Sequence, residues 1–522
     1  MDKASVDYTL YLVTDSTMIP ANKTFLDQVS QAIDNGVTLV QLREKSLLTL
    51  DFINRAKETL QLCRKKGIPL IINDRVDVAL AVDADGVHVG QDDMPATLVR
   101  KLIGPDKILG LSCGIPLEME KAIEEGVVDY VGFGAMFPTK TKKDIKLDRF
   151  GQGPIGIRRL LRTLEKHNSS SERKIKCVAI GGINQSNAAK VLYQLNTPTQ
   201  KVDGLAVVSC IMAAPDAAKA TKDLIQIIHT PAPWTQALTI TKEEPQSLEN
   251  KIKTVTAKSP LVHHITNGVV KNFSANVTLA IGASPIMSEF GDEYEEFAST
   301  IDNICLVLNI GTPSPEMMNL FKHALQTYNK YGRMILLDPV ACGATQARLN
   351  VVKELLNYGQ VNVIKGNIGE ISGILKLTST YKQANGNEEE VLMKGVDSIA
   401  QLNEDDIIST GKQVSKDFKV VVVISGPINY VIHQDRYKSI PGGHPLMGTV
   451  TGTGCSLGST IGSFIGAQAD GRNKDKFDVY EAVIGAVELY NKAGREAAEE
   501  AKGSGTFMVK FIDKLFENTH NI

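Results

Sequence analysis

The stretch IINDRVDVALAVDADGVHVGQDD, residues Ile71–Asp93, reads as strand, helix, strand. An apolar run, PLIIND, ends in Asn73 and Asp74. VDVALAV is compatible with a helix, and GVHVGQDD is a second strand ending in Gln91, Asp92 and Asp93. Polar and acidic clusters thus follow the ends of two neighbouring strands. In a parallel sheet those ends lie on one edge, so Asp74 and Asp93 are expected to face one ion from adjacent loops. Carboxylates that leave room for water and a substrate phosphate are the usual surroundings of magnesium.

Outward from this stretch, strand-like runs recur up to about Ile211: TLYLVTD, VTLVQLRE, PLIIND, GVHVG, KILGLSC, YVGFGAM, KCVAIGGI and GLAVVSC. Helix-compatible segments such as FINRAKETLQLCRKKG follow most of them. Eight strand–helix units in roughly 220 residues is the count of a (β/α)8 barrel; an open doubly wound sheet competes. Polar punctuation favours the barrel. It falls at the C-terminal ends of the strands, at Asp15, Gln41, Arg43, Lys45, Asn73, Asp74, Gln91, Asp93, Ser112, Thr139, Thr141, Lys142, Gly181, Gly182 and Ser209. Barrel enzymes build their sites on that face, and the loops after strands seven and eight commonly take a phosphate.

The charges on this face point to a reaction type. Arg43, Lys45 and Lys142 are cations, Asp74 and Asp93 a magnesium pair, and no His–carboxylate or Ser–His pair stands among the strand ends. Such a site suits holding a diphosphate and stabilising it as it leaves. A separate monophosphate would sit on GGI and VVS. Two phosphorylated substrates imply coupling with pyrophosphate as leaving group.

In order and spacing, QLREK, NDR, HVGQDD, PTKTK, GGI and VVS resemble the thiamine-phosphate synthase family over residues 8–225. The resemblance implies that the pyrimidine diphosphate is held by Gln41, Arg43, Lys45, Asn73, Ser112 and Lys142. It assigns magnesium to Asp74 and Asp93, and the thiazole phosphate to Thr139, Thr141, Gly182, Val208 and Ser209. The implied reaction is dissociative: diphosphate leaves the pyrimidine methylene, and the thiazole nitrogen attacks the resulting cation. Ala135 departs from the family, where many members have proline, and is expected to loosen the loop before Thr139.

Length and composition agree with two domains. The chain has 522 residues, 43% hydrophobic and 22% charged, more than one typical core accommodates. A formal net charge of -2 argues against bulk attraction to nucleic acid or anionic membrane. No apolar run of membrane-spanning length occurs, and MDKASVDYTLYLVTD has no signal-peptide layout. Seven cysteines without a CxxC pair suit reduced thiols and a cytoplasmic protein. Of these, Cys63, Cys177, Cys210 and Cys305 read as core residues.

After residue 230 the alternation stops. PAPWTQALTITKEEPQSLENKIK holds three prolines and the only tryptophan. Residues 231–249 read as a linker between a domain at 1–230 and another at 250–522, with a helix starting near Ser247. A plain spacer is the preferred reading, with docking by Trp234 the alternative.

The second half has a different α/β pattern. PLVHHIT, NICLVLNIG, RMILLDPV, VNVIKGN and KVVVVISGP read as buried strands of a mostly parallel sheet covered on both faces. NYVIHQD and RYKSIPG suggest a terminal hairpin. In GTVTGTGCSLGSTIGSFIGA, glycines 448, 452 and 454 open a small-residue helix, whose first amides would form an anion hole for a phosphoryl group. KGNIGE places Asn367 and Glu370 three apart at a helix start, with Glu370 a magnesium candidate through water.

With HHITNGVVKNFSANVTLAIGASPIMSE, these motifs resemble hydroxyethylthiazole kinase, a ribokinase-like αβα fold, over residues 250–520. The resemblance places Asn267, Met287 and Gly452 at the thiazole alcohol and Lys365 and Ser425 at ATP. Asn367 and Glu370 fall in the magnesium–phosphate region, and Cys455 at the catalytic-base position. A free thiol titrates near about pH 8.5, so Cys455 is mostly protonated at neutral pH unless the helix start lowers its pKa. The family also implies a homo-oligomer, a trimer or a multiple of three.

The expectation is therefore a bifunctional enzyme of thiamine biosynthesis, with ATP as cosubstrate and magnesium as cofactor. The alternative is that one half is inactive and acts as a precursor-binding or regulatory module. Three features carry plainer readings. His88 is expected to be a satisfied barrel-interior histidine. His263 and His264, adjacent on a strand, point to opposite faces and read as core or pocket lining rather than a metal pair. TKTKKDIK is expected to be a mobile lid carrying Lys142.

Overall fold

Residues alternate in and out along each of the first eight strands, and this alternation builds a closed wall. The structure is a computed structural model that describes residues 3–139, 151–235, 246–381, 403–468 and 478–521. It divides into two compact units, Met1–Ala232 and Pro233–Ile522.

In the first unit the strands are β1 (Leu10–Val13), β2 (Leu39–Leu42), β3 (Leu70–Asn73), β4 (Gly86–Val89), β5 (Ile108–Cys113), β6 (Tyr130–Phe133), β7 (Lys176–Ile180) and β8 (Gly204–Val207). They form a closed parallel barrel, β1 pairing with β8 through Leu10 and Leu205. Leu10, Leu12, Val40 and Leu42 join the layer beneath the helices, whereas Tyr11, Val13, Leu39, Ile71 and Tyr130 fill the interior. Gly110 makes room for the aromatic interior: a Cβ there would lie 2.2 Å from the Tyr130 ring and 2.5 Å from His88 Nδ1. At the opposite end, acids that precede strands pin the neighbouring strand. Asp85 accepts from Leu70 N at 2.8 Å, Asp129 from Leu109 N at 2.9 Å and Asp203 from Cys177 N at 2.8 Å. Conserving stability at that end leaves the other free for chemistry.

The opening stretch folds as β3, a helix over Val76–Val82, and β4, with Asn73 opposite His88 in a parallel pair. Asp74 follows β3 at φ 60°, a left-handed conformation that aspartate tolerates better than most residues.

The second unit contains β9 (Leu261–Ile265), β10 (Ser284–Ile286), β11 (Ile304–Asn309), β12 (Met334–Asp338), β13 (Val363–Asn367), β14 (Val421–Ser425), β15 (Ile428–His433) and β16 (Arg436–Pro441). Their order is β10-β9-β11-β12-β13-β14-β15-β16. All pairs up to β14 are parallel, and the expected hairpin β15–β16 is antiparallel. The sequence reading missed β10. It is a three-residue edge strand containing Pro285, too short for a period and allowed only where a missing N–H faces outward.

The small-residue helix spans Thr453–Gln468 and packs on the sheet. A Cβ on Gly462 would lie 2.9 Å from Val307 Cγ2, and one on Gly466 3.4 Å from Cys305 Cβ. Its glycines thus serve close helix–sheet approach as well as the loop before it. His263 and His264 are core residues, as expected. His263 bonds Tyr328 Oη at 2.8 Å and Ser288 O at 2.9 Å, and His264 bonds Ser459 Oγ at 2.9 Å.

The division at Ala232/Pro233 falls within the expected linker. Trp234 is buried, and Pro233 lies against Gly332 of its own unit. The second unit therefore includes this segment from Pro233 onward. Residues 236–245 lie outside the described residues, and the next helix, Leu248–Lys258, is capped by Ser247.

Candidate functional site

At the C-terminal end of the barrel the strand ends surround a cavity of about 240 Å³. Gln41 enters it from β2 and Arg43 and Lys45 from the loop after it, Asn73 from β3 and Asp74 from just beyond, Asp93 from the loop after β4, and Ser112 from β5. Thr139, Gly182, Val208 and Ser209 complete the opposite wall. Every expected synthase residue among those described lines this one cavity. Thr141, Lys142 and most of the expected lid lie outside the described residues.

The acidic pair forms by backbone geometry. Asp74 N donates to His88 O at 2.8 Å, which turns the residue toward β4. Gly90 N donates to Asp93 Oδ2 at 2.8 Å and holds the second acid in place. Burial, then a hydrogen bond to Asp74, raises the Asp93 carboxyl above its usual range. Two carboxylates in contact share a proton unless a cation takes its place. Lys45 Nζ, 2.6 Å from Asp74 Oδ2, supplies one positive charge. This donor set fits a divalent cation that retains waters.

Supporting groups extend the set. Arg43 Nη1 lies 3.4 Å from Asp15 Oδ2, and its backbone N donates to Thr14 Oγ1 at 3.0 Å. Arg55, held by Glu44 at 2.7 Å, backs the same loop. On the phosphate side, Gly181 and Gly182 have φ of 105° and 65°. A Cβ on Gly182 would lie 2.9 Å from Phe137 Cβ, so the two loops meet only because the residue is glycine. The loop at Ala135 is not loose: Met136 N donates to Ile180 O and Phe137 N to Gly181 O, each at 2.9 Å. Without proline, these backbone bonds tie it down.

His88 is satisfied, as expected, but it also faces the cavity. Its Nδ1 bonds Tyr130 Oη and its Nε2 bonds Ser112 Oγ, both at 2.9 Å. Gln91, whose Nε2 donates to Ser112 O at 2.7 Å, is a further wall residue without an assigned role from sequence.

In the second unit the ends of β9, β11, β12 and β13 carry a polar chain. Asn267 Nδ2 donates to Asn309 Oδ1 at 3.0 Å, and Asn309 Nδ2 to Asp338 Oδ2 at 3.1 Å. Lys365 Nζ donates to the same Asp338 oxygen at 3.0 Å, both side chains almost fully buried. Burial works against the Lys365 ammonium, but the Asp338 carboxylate, by its charge and its hydrogen bond, holds it charged. Asp338 Oδ1 is buried and has no hydrogen-bond partner among the described residues. Sequence reading missed Asn309 and Asp338. The available signal was a polar residue ending each of two otherwise apolar strands, LVLN and ILLD.

Asn367 and Glu370 prove to be a capping box. Asn367 Oδ1 accepts from Glu370 N at 2.9 Å, and Glu370 Oε2 accepts from Asn367 N at 2.8 Å. Glu370 Oε1 accepts from Ala341 N at 2.8 Å. Both carboxylate oxygens are thus engaged by backbone, and burial followed by Asp338 pushes the carboxyl up to about 7. The spacing taken as a metal signal is first a helix start.

Ser425 pairs with Asn367 across β13 and β14, which sets these two expected ATP-region residues side by side. Gly452, at φ 97°, lies against Phe273 and Val270, next to the turn that holds Asn267. Met287 is half-buried, one residue past β10.

Cys455 is the third residue of the helix Thr453–Gln468. The helix start does not lower its pKa. Burial, then Asp338, pushes the thiol up to about 11, against the opposing pull of Lys365 and a hydrogen bond with Asn309. The thiol is therefore protonated at neutral pH.

Comparison with known proteins agrees with both halves. Residues 252–521 match the Hydroxyethylthiazole kinase family, and residues 10–211 match Thiamine monophosphate synthase. The chain is similar to the thiamine biosynthetic bifunctional enzyme of Saccharomyces cerevisiae, 43% identical over 545 residues, covering 99% of this chain and 96% of the relative. It is similar to the probable thiamine biosynthetic bifunctional enzyme of Schizosaccharomyces pombe, 42% identical over 99% of this chain and 96% of the relative. A solved hydroxyethylthiazole kinase from Pyrococcus horikoshii OT3 is 33% identical, with a TM-score of 0.44, over 52% of this chain and 94% of its own.

Proposed function

The chain belongs to the thiamine biosynthetic bifunctional enzymes, with a thiamine-phosphate synthase part followed by a hydroxyethylthiazole kinase part, and from that premise we propose which residues carry each reaction. The second unit phosphorylates 4-methyl-5-(2-hydroxyethyl)thiazole with ATP. The first joins the resulting phosphate to 4-amino-2-methyl-5-hydroxymethylpyrimidine diphosphate, releasing pyrophosphate and thiamine phosphate.

The observation that carries the synthase reading is the single cavity that collects every described candidate residue. Gln41, Asn73 and Ser112 hold the pyrimidine diphosphate, with Arg43, Lys45 and Lys142 meeting its charge. Gly182, Val208 and Ser209, with Thr139 and Thr141, take the thiazole phosphate. Asp74 and Asp93 would hold magnesium, which when bound supplies positive charge to the leaving diphosphate. Arg43 is oriented by Asp15 and Lys45 by Asp74, so both cations are positioned before the charge develops.

In the kinase reading, Asn267, Met287 and Gly452 receive the thiazole alcohol, and Lys365, Asn367 and Ser425 border ATP. The unengaged Asp338 Oδ1 fits magnesium better than Glu370, whose oxygens both accept backbone N–H groups. Cys455 positions the alcohol rather than strongly deprotonating it. Phosphoryl transfer through a loose transition state depends mainly on positioning and charge.

The reading extends to a cytoplasmic homo-oligomer, a trimer or a multiple of three. No described helix is long and apolar enough to cross a membrane. Nothing supports the alternative of an inactive half. The test assays pyrophosphate release and ATP-dependent thiazole phosphorylation on the full chain and on Asp74→Asn and Cys455→Ala made separately. Loss of the first activity alone, then weakening of the second alone, is expected. Loss of both activities in either variant would refute two autonomous sites.

A further inference from the structure

Barrel interiors are usually filled by branched aliphatic side chains. This one is threaded by a hydrogen-bonded chain. Gln41 Nε2 bonds Tyr11 Oη at 2.8 Å, Tyr11 Oη bonds Tyr130 Oη at 2.7 Å, Tyr130 Oη bonds His88 Nδ1 at 2.9 Å, and His88 Nε2 bonds Ser112 Oγ at 2.9 Å. Tyr11, Tyr130, Gln41 and His88 are all buried. Gly110 is the residue that admits the Tyr130 and His88 rings side by side. Gln41, Tyr11, His88 and Ser112 line the cavity; Tyr130, between Tyr11 and His88, does not.

Such a chain has a direction. An amide nitrogen can only donate, and each hydroxyl has one proton. Gln41 Nε2 donates to the Tyr11 oxygen; if every hydroxyl proton is then used within the chain, Tyr11 donates to Tyr130 and Tyr130 to His88 Nδ1. His88 then carries its proton on Nε2 and donates it to Ser112 Oγ. The Ser112 proton is left to point into the cavity as a donor, and the Gln41 carbonyl is left there as an acceptor.

We propose that this buried chain, with Tyr130 and His88 as positioning residues, sets the hydrogen-bond polarity of Gln41 and Ser112 and so selects an aminopyrimidine over an oxopyrimidine. This deepens the synthase reading and rests on it. An aminopyrimidine offers an exocyclic N–H donor beside a ring-nitrogen acceptor, which matches a Gln41 acceptor and a Ser112 donor. The oxo ring reverses both, offering a carbonyl acceptor beside a ring N–H. A buried site whose polar groups are mismatched rejects a ligand strongly, because those groups lose their partners.

The test measures thiamine-phosphate formation by the full chain with the 4-amino and the 4-oxo pyrimidine diphosphates. Wild type is expected to favour the amino substrate by more than about a hundredfold in kcat/KM. Tyr130→Phe cuts the chain at a residue that does not line the cavity and frees His88 to take the other tautomer. Its preference is expected to fall to within about tenfold, with the amino KM raised and the oxo analogue improved. A purely structural role would lower both substrates alike. Kinase activity of the same variant should be unchanged. An unaltered preference in Tyr130→Phe overturns the proposal. Independently of any variant, ¹⁵N NMR of wild type should show His88 as the Nε2–H tautomer; the Nδ1–H tautomer overturns the proposal even if the variant fails to fold. Wild type that forms no thiamine phosphate from the amino substrate refutes the synthase reading itself, a result distinct from either.

Discussion

Cys455 gives the sharpest test of the kinase site. With its thiol pushed up to about 11 by burial and Asp338, roughly one molecule in a thousand carries a thiolate at pH 8. If that thiolate were the obligatory base, the rate would rise about tenfold for each pH unit between about 7 and 10. Replacing it with serine, whose hydroxyl is far less acidic, would then remove several powers of ten. If positioning dominates, a serine of similar shape that keeps a partner in Asn309 loses about tenfold or less, or about 1.4 kcal/mol. Cys455→Ser is therefore expected to weaken the kinase without abolishing it, with a pH profile as flat as wild type. Cys455→Asp is expected to keep or raise the rate, since a carboxylate ionises far more readily than a thiol. The assay is ATP-dependent phosphorylation of the thiazole alcohol by the full chain, from pH 6.5 to 9.5 (a range set by the experiment), under saturating substrates. A unit-slope pH dependence in wild type that serine eliminates would refute this account, as would complete inactivity of Cys455→Asp.

Glu370 provides a stability prediction. Its carboxyl titrates near 7 in the folded protein and near about 4.3 when unfolded. The folded state therefore binds the extra proton in that window, and the contribution to stability falls as pH rises from about 4.5 to 7, by up to a few kcal/mol. Thermal unfolding of the second unit should show this fall, and Glu370→Gln should flatten it. A wild-type stability that rises through the same window would contradict the assignment. In the helix that packs on the sheet, Gly462→Val should lower stability by about 1–3 kcal/mol, because a Cβ there already lies 2.9 Å from Val307 Cγ2; an unchanged denaturation midpoint would count against that packing. Sedimentation should give a trimer or a multiple of three, and a clean monomer with full kinase activity would rule that out.

Both architectures were legible because their cause is local. Alternating side chains along TLYLVTD or YVGFGAM and the polar residue ending each strand are properties of short segments, and eight such units close a barrel. Asp74 and Asp93 were visible as a pair because β3 and β4 are neighbours joined by one short helix. The hairpin β15–β16 was legible for the same reason. In contrast, β10 has only three residues, and no period can be read from so few.

What the chain order hides is the set of partners that burial assembles from distant segments. Asn309, Asp338, Lys365 and Cys455 meet only after three strands and a helix are in place. The thiol's protonation follows from that assembly: a helix start alone suggests a lowered pKa, but desolvation and the Asp338 charge outweigh it. Glu370 shows the converse, since its N-x-x-E spacing served the cap that the motif also encodes. His88 read as an ordinary interior histidine, and locally it is one. Only the closed barrel brings Tyr11 and Tyr130 from separate strands into line with it, so that a buried chain links Gln41 to Ser112. Sequence thus determined which groups stand on each working face. Tertiary structure decided their charge and their hydrogen-bond partners, because both depend on desolvation and on neighbours that no local pattern specifies.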